Sequence, residues 1–197
     1  MDMKTCIELR SSSREYKSDP IPLEIVDDIL NAARLAPSPK NRQPWRFVVL
    51  YNSEKNNIVK ICRESLYNSS KDFVYIMHNE IPSESYTFNT IEQAPVLILV
   101  FNAFPSQQAL KKFDLSFDFL NVQAIGAAIE NMLLRATDLG VDSLWVGDIL
   151  AQKELIQEVY PQAGELVAGV VLGFSNVTKH SSPNRLPISE LIKYNGG

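Results

Sequence analysis

The chain has 197 residues, of which 45% are hydrophobic and 21% are charged, so it contains enough apolar sequence for one domain with its own core. A net charge of -4 with scattered lysines and arginines argues against a nucleic-acid surface, and the longest apolar run, residues 94–101, is too short to cross a bilayer. The two cysteines fit no metal or disulfide spacing, so we predict a single domain over 1–197, located in the cytoplasm and without a membrane partner or a metal.

The first half of the chain predicts a helix, a strand and a second helix. After Pro22, apolar residues recur with helical spacing as far as Ala33. The aromatic and β-branched run at 45–51 predicts a strand, followed by a helix with Ser53 as its N-cap. Residues 68–93 lack clear periodicity, and two interpretations stay open there: a long loop or lid over a site, or disorder.

The second half predicts three further strands and three further helices. The strands lie at 95–101, 143–146 and 166–174, and the helices lie at 115–139, 153–159 and 188–192. Gly140 ends the longest helix as a C-terminal cap. The small residues at 126–128 would let another backbone approach that helix closely. This order of elements predicts three layers of mixed α and β structure.

Several common catalytic and cofactor motifs are absent from the sequence. There is no GxGxxG turn for a dinucleotide, no phosphate-binding loop, no GxSxG elbow and no HExxH pair. The chain has only two histidines, which argues against histidine triads and multi-histidine metal sites. Any cofactor must therefore be held in another way.

Two motifs carry a family resemblance. The segment Arg10–Arg14 (RSSSR) places two guanidinium groups and three hydroxyls together, which suits an anion clamp, although an exposed polar turn is the alternative. Residues 36–47 read APSPKNRQPWRF. In this order the two motifs resemble the R-x-S-x-R and A-P-S-x-x-N-x-Q-P-W-x-F patterns of the nitroreductase family. Further matches at 94–98, 126–134, 139–140, 143–147, 171–174 and 184–191 extend the resemblance over nearly the whole chain.

The resemblance implies an α+β nitroreductase-like fold, with a central, mainly antiparallel mixed sheet flanked by helices, in an intertwined homodimer. It also implies FMN as the cofactor. The phosphate would be held by Arg10, Ser11, Ser12 and Arg185, because an arginine fork donates parallel charge-assisted hydrogen bonds to phosphate oxygens. Whether Lys179 assists Arg185 stays open.

The same resemblance assigns the flavin ring and its surroundings. Arg14 matches the position facing the pyrimidine edge, where a fixed cation raises the potential of the flavin. The backbone of Trp145, Val146 and Gly147 matches the segment that reaches N5, and the side chain of Trp145 is expected in the core. The remaining cofactor-binding candidates form a loop before the first strand and are Pro37, Ser38, Pro39, Asn41 and Gln43. Of these, Ser38, Pro39 and Asn41 match residues that touch FMN held by the other subunit.

The implied reaction is hydride transfer from NAD(P)H through FMN to a nitroaromatic, quinone or similar conjugated acceptor, by a ping-pong mechanism. No side chain needs to act as an acid or a base, because the cofactor carries the chemistry. Two alternatives stay open. One is an FMN enzyme with a different reaction, such as reductive dehalogenation, flavin cleavage or dehydrogenation, and the other is a flavin-binding module without turnover.

Overall fold

The computed structural model of the protein describes residues 1–69, 83–105, 112–175 and 184–193. Within these ranges the strands are β1 (Trp45–Tyr51), β2 (Val96–Asn102), β3 (Asp142–Val146) and β4 (Glu165–Gly173). The helices are α1 (Met3–Leu9), α2 (Leu23–Arg34), α3 (Asn52–Ser69), α4 (Ser83–Gln93), α5 (Lys112–Asp138), α6 (Lys153–Val159) and α7 (Ile188–Leu191). These strands form one sheet in the order β1-β2-β4-β3, in which all neighbouring strands are antiparallel.

Strand β2 organises the core, because it lies inside the sheet and all of its residues are buried. Successive side chains of a strand point to opposite faces, so β2 contributes to two apolar clusters. Val96, Ile98 and Val100 pack with residues of α2 and α5, whereas Leu97, Leu99 and Phe101 pack with residues of α3, α4 and α6. The sheet is therefore the middle of three layers.

The long helix α5 ends as the sequence predicts. Gly140 has a φ of 72°, a left-handed conformation that glycine adopts without a steric penalty. The Gly140 N–H donates to the Thr137 carbonyl (3.1 Å), and the Val141 N–H donates to the Ala136 carbonyl (2.8 Å), which satisfies carbonyls of the last turn. None of the helices in the described ranges combines the length and apolar character needed to cross a membrane.

The structure confirms most of the predicted elements. Strand β1 and helix α6 have the predicted bounds, and the other strands agree within one residue at each end. The predicted α+β fold with a mainly antiparallel sheet is confirmed. In the described part of the chain, the isolated bridge between Ser12 and Ser143 supplies the one parallel contact. The homodimer stays a prediction.

Three predictions differ from the structure. Helix α3 begins at Asn52, so Ser53 lies in its first turn and is not its cap. Residues 83–93 form helix α4 where a loop or disorder was expected, while 70–82 lie outside the described residues. Helix α1 was not predicted, because it has seven residues and Cys6 is its one buried side chain, which leaves no apolar stripe to detect.

Candidate functional site

The segment Arg10–Arg14, which we call the clamp, lies against strand β3. The Ser13 N–H donates to the Ser143 carbonyl (2.9 Å), next to the parallel bridge between Ser12 and Ser143. Ser13 is buried, whereas Ser12 and Arg14 on either side of it are exposed. This alternation is that of an extended chain, in which residues two apart point to the same side. The spacing of the R-x-S-x-R motif therefore directs its side chains away from the core.

A buried tyrosine also holds the clamp. The hydroxyl of Tyr16 donates to the Ser13 carbonyl at 2.9 Å. Burial raises the pKa of Tyr16 far above its usual value, and the charge of nearby Asp142 adds to this effect. The phenol therefore stays protonated and keeps its donor at any pH at which the protein works. The main chain of the clamp is thus fixed from two sides, by β3 and by Tyr16.

Both clamp arginines keep most of their hydrogen-bonding capacity. Arg10 ends α1, and its Nε lies 3.8 Å from the Glu130 Oε1 on α5, a distance too long for a hydrogen bond. Arg14 is exposed, and its guanidinium makes no hydrogen bond or ion pair with another described residue. Each guanidinium offers several N–H donors in a planar fork. This donor set suits a ligand with a phosphate and further acceptor atoms.

The end of β3 lies beside the clamp and is open to solvent. Val146 is buried on one face of the sheet, whereas Trp145 on the other face is 40% exposed. The predicted core position of the Trp145 side chain is therefore wrong. Strand β3 is last in the sheet order, and the indole contacts Gly126 on α5, where a Cβ would lie 3.6 Å from the ring. Without a side chain at Gly126, much of the indole stays uncovered.

Gly147 follows directly and is also exposed. A Cβ added at Gly147 would meet no atom of the described residues within 4 Å, so the space on this side of the residue is open, while its carbonyl accepts a hydrogen bond from the Leu150 N–H at 2.9 Å. A short 3₁₀ turn, Asp148–Gln152, follows. The main chain at the end of β3 could therefore lie close to a flat ring.

The loop at residues 37–43 has an unusual backbone. Lys40, Asn41 and Gln43 have positive φ angles of 53°, 54° and 49°. Such angles are uncommon outside glycine and asparagine, and they concentrate at functional sites. The Ser38 Oγ accepts a hydrogen bond from the Gln43 N–H at 3.0 Å, which closes the loop on itself. Pro37 and Asn41 are exposed, and Pro39 is half-buried.

The structure does not bring all predicted site residues together. The loop precedes β1 and the clamp lies beside β3, and these strands are at opposite ends of the sheet order. Three strand spacings separate them, which is about 14 Å. Arg185 is exposed in the tail 184–193 and makes no hydrogen bond or ion pair with the described residues. Lys179 lies outside the described residues. Among the described site residues of one chain, the clamp and the end of β3 are the ones that share neighbours, on helices α4 and α5.

Helix α4 borders both of these parts, and sequence reasoning missed it. The Thr87 Oγ1 donates to the Asp148 Oδ2 (2.7 Å), and Asp148 follows Gly147. The hydroxyl of Thr90 lies 3.3 Å from the Arg14 carbonyl and 3.1 Å from the Tyr86 carbonyl, which share its one hydrogen. The threonines had no distinguishing pattern while their segment was interpreted as a loop. Glu130 was likewise missed, since only the fold brings it near Arg10.

A comparison with known families decides the class of the chain. Residues 7–174 match the model of the Nitroreductase family. The chain belongs to the Nitroreductase family. This confirms the resemblance that the motifs carry, and it makes the chain a member of an oxidoreductase family. The matched range includes the clamp, the loop and the end of β3, and it stops before the tail with Arg185.

Individual relatives add detail to the Nitroreductase assignment. A Methanothermobacter thermautotrophicus protein named for NADH dehydrogenase and NAD(P)H nitroreductase is 29% identical over 147 residues, 75% of this chain and 61% of that protein. A Desulfovibrio desulfuricans protein, described as a nitroreductase in complex with FMN, is 26% identical with a TM-score of 0.73, covering 100% of this chain and 98% of that chain. An iodotyrosine deiodinase of Haliscomenobacter hydrossis is 34% identical over 98 residues, 47% of this chain and 43% of that protein. The chain thus spans less than two thirds of both sequence relatives.

Proposed function

We propose that the protein is an FMN-dependent oxidoreductase that transfers a hydride from NAD(P)H through FMN to a nitroaromatic, quinone or similar conjugated acceptor. It works in the cytoplasm as a homodimer of single FMN-binding domains. The observation that carries the proposal is the clamp itself. The guanidinium groups of Arg10 and Arg14 make no hydrogen bond to the described residues, and helix α4 joins the clamp to the segment after Gly147, where the space for a side chain is open.

The residues present fit FMN as a ligand. Its phosphate needs a charged donor, which Arg10 supplies, and the exposed Ser12 hydroxyl lies on the same side of the extended clamp. Ser11 is half-buried and alternates to the other side, so its role rests on the resemblance alone. Arg185 joins them from the tail. The ring needs a flat, open surface, which the main chain from Trp145 to Gly147 provides. FMN in the Desulfovibrio desulfuricans relative supports the same choice.

The side chains of this protein bind and orient, and none has to transfer a proton. When bound, FMN supplies the redox chemistry, accepting electrons from NAD(P)H and passing them to the acceptor. Arg14 places a permanent positive charge at the pyrimidine edge of the ring, which favours the reduced, more negative cofactor. Tyr16 and Ser143 hold the clamp main chain, so this charge is already in place before reduction.

The homodimer follows from the separation of the clamp and the loop. Pro37, Ser38, Pro39, Asn41 and Gln43 lie at the other edge of the sheet from the clamp. In the proposed homodimer, the loop of the partner subunit would complete the clamp. The strained conformation of the loop supports this role, because strain is kept where it serves a ligand or an interface.

The proposal is tested with purified protein. We expect a flavin absorbance spectrum that bleaches when NADH or NADPH is added under nitrogen and returns when an acceptor is added. Initial rates should give parallel double-reciprocal lines, as expected when both substrates use one site in turn. Protein without bound flavin that also fails to take up added FMN would contradict the proposal. Protein that binds FMN but is not reoxidised by any acceptor would instead be a flavin-binding module.

The similarity to iodotyrosine deiodinases supports a second candidate reaction, reductive dehalogenation. The Haliscomenobacter hydrossis relative is more similar to this chain over its matched half than the Methanothermobacter protein is over its longer match. The acceptor panel should therefore contain an iodotyrosine next to a nitroaromatic and a quinone. Dithionite-reduced protein that releases iodide from the iodotyrosine, and that is reduced only slowly by NAD(P)H, would favour this second reaction.

A further inference from the structure

Lys55 is a lysine whose ammonium group is buried at the C-terminal end of helix α4. The residue lies on α3, and 3% of its surface is exposed. Its Nζ donates to the carbonyl oxygens of Ile91 (2.9 Å), Glu92 (2.6 Å) and Ala94. Carbonyls at the end of a helix lack partners within that helix. A cation satisfies them and complements the negative end of the helix dipole.

Among the described residues, no carboxylate forms an ion pair with Lys55 that would explain its burial. The nearby Glu92 carboxylate forms an ion pair with Arg63 at 2.8 Å. Burial lowers the pKa of Lys55, and the charge of Glu92 offsets part of this effect. An apolar side chain of similar length could fill the same space without desolvating a charge. The burial of the ammonium group is therefore explained by its hydrogen bonds to the carbonyl oxygens at the end of α4.

The middle and the C-terminal half of α4 contact the candidate site through two threonines. Thr87 and Thr90 are three residues apart, so they share one face of the helix. That face contacts the Asp148 carboxylate and the Arg14 carbonyl. Phe88 is buried in the core on the side of α3, which fixes the rotation of the helix. Helix α4 thus connects Lys55 to the clamp and to the segment that follows Gly147.

We propose that Lys55 is a positioning residue for the flavin site, which acts by holding the C-terminus of α4 and, through Thr87 and Thr90, the positions of Arg14 and Gly147. The inference rests on the proposed function, since it assigns to Lys55 an effect on a flavin that it does not touch. Loss of the ammonium group leaves three carbonyls without a donor. The last turn of α4 then loosens, and the clamp and the end of β3 lose a common support.

The experiment compares three substitutions on α3. Lys55→Met removes the ammonium group and keeps most of the volume, whereas Lys55→Arg keeps a buried cation with N–H donors. Lys60→Met is the matched control, because Lys60 is exposed on the same helix and its ion pair with Glu64 is long, at 3.9 Å. The readouts are amide hydrogen exchange in flavin-free protein, the Kd for FMN, and the two-electron potential of bound FMN.

We expect Lys55→Met to increase amide exchange in residues 86–94 and to raise the Kd for FMN by roughly 3- to 10-fold, as for the loss of one or two net hydrogen bonds. The potential should become more negative, because Arg14 is held less firmly. Lys55→Arg should restore part of each change, and Lys60→Met should change none. If Lys55→Met binds FMN with the Kd and the potential of the wild type, the inference about Lys55 is overturned and the proposed function is not affected.

A second variant keeps the test valid if Lys55→Met does not fold. Thr87→Val with Thr90→Val breaks the contacts of α4 to the site and leaves Lys55 in place. It should shift the Kd and the potential in the same direction as expected for Lys55→Met, and unaltered values would overturn the inference without any Lys55 variant. If Lys55→Met folds, adding it to the threonine variant should change the Kd and the potential little further, because both act through one path. Fully additive effects would contradict the path through α4. A wild-type protein that binds no FMN would overturn the proposed function and this inference together, whatever the exchange data show.

Discussion

The two edges of the sheet carry the two halves of the candidate site, and they are built in different ways. At the β3 edge, the clamp is an extended segment held by main-chain contacts to Ser143 and by the Tyr16 hydroxyl. None of its residues has a positive φ. At the β1 edge, the loop 37–43 contains three left-handed residues and is closed by its own Ser38 side chain.

This difference shows what holds each half of the site in its conformation. The clamp takes its conformation from the sheet, so its side chains are free to bind a ligand. The loop is closed by its own Ser38 side chain, and the Arg42 guanidinium lies over the Phe104 ring at 5.1 Å. Its left-handed residues are of the kind that is kept at functional sites. The proposed homodimer gives this strain a purpose, because the loop of one chain would complete the clamp of the other.

The largest effect is expected when each half is destroyed in a different chain. Arg10→Ala with Arg14→Ala removes the clamp, and Ser38→Trp with Asn41→Trp blocks the loop side. Each variant alone should bind no FMN. Co-expressed with different tags, they should form heterodimers in which one site has both defects and the other has none. The measurement is flavin content and activity of the doubly tagged dimer.

We expect about one flavin per heterodimer and roughly half the wild-type activity, provided that the two sites act independently. Doubly tagged dimers without flavin would contradict a shared site. A control heterodimer of the clamp variant with wild-type chains should behave in the same way, with about one flavin, because it too contains one intact site.

A smaller but still large effect is expected from one clamp arginine. Arg10→Ala should weaken FMN binding much more than riboflavin binding, because riboflavin has no phosphate. The loss of a charge-assisted hydrogen bond costs about 1.5–3 kcal/mol, roughly 10- to 150-fold in Kd. Arg185→Ala should show the same selectivity. Arg34→Ala is the control, since Arg34 is exposed at the end of α2. Equal losses for both ligands would remove the arginine concerned from the phosphate site.

The next effect concerns the potential and leaves affinity largely intact. Arg14→Gln should lower the two-electron potential of bound FMN, because it removes the positive charge proposed to face the pyrimidine edge. Arg14→Lys keeps a charge and should give an intermediate value. Equilibration with redox dyes measures both variants. If Arg14→Gln has the same potential as the wild type, the Arg14 guanidinium does not face the pyrimidine edge of the flavin.

The sequence predicted the fold well wherever a segment has one dominant pattern. The run at 45–51 is aromatic and β-branched throughout, and 153–159 has a clear apolar spacing, and both elements have the predicted bounds. Helix α4 was missed because its buried residues, such as Phe88 and Ile91, are separated by polar ones that make contacts of their own. The hydroxyls of Thr87 and Thr90 donate to Asp148 and to the Arg14 carbonyl. No local sequence pattern reveals these contacts.

The site was predicted from motifs more than from physics. The motifs selected the clamp and the end of β3, which both border helix α4, but that these residues bind FMN stays a prediction. The position of the loop at the other edge comes from the strand order, which no motif states. The indole of Trp145 lies against a glycine 19 positions earlier in the chain and stays 40% exposed, which the local sequence does not reveal. The burial of Lys55 depends on carbonyls nearly 40 residues away. Such contacts exist only in the folded chain.

The smallest effect tests the backbone difference directly, by placing glycine in each half of the site. Gln43→Gly should raise the free energy of unfolding by up to about 1 kcal/mol, because glycine removes the strain of a φ of 49°. Ser12→Gly should lower it by about 0.5–1 kcal/mol, because glycine only adds freedom to an extended segment that needs none. Urea unfolding of flavin-free protein measures both changes.

Gln43→Ala is the control for the lost side chain, including its long 3.4 Å contact to the Asn41 carbonyl, and it should not raise the free energy of unfolding. Equal destabilisation by both glycines would mean that the loop is no more strained than the clamp, and its proposed role across the interface would lose this support.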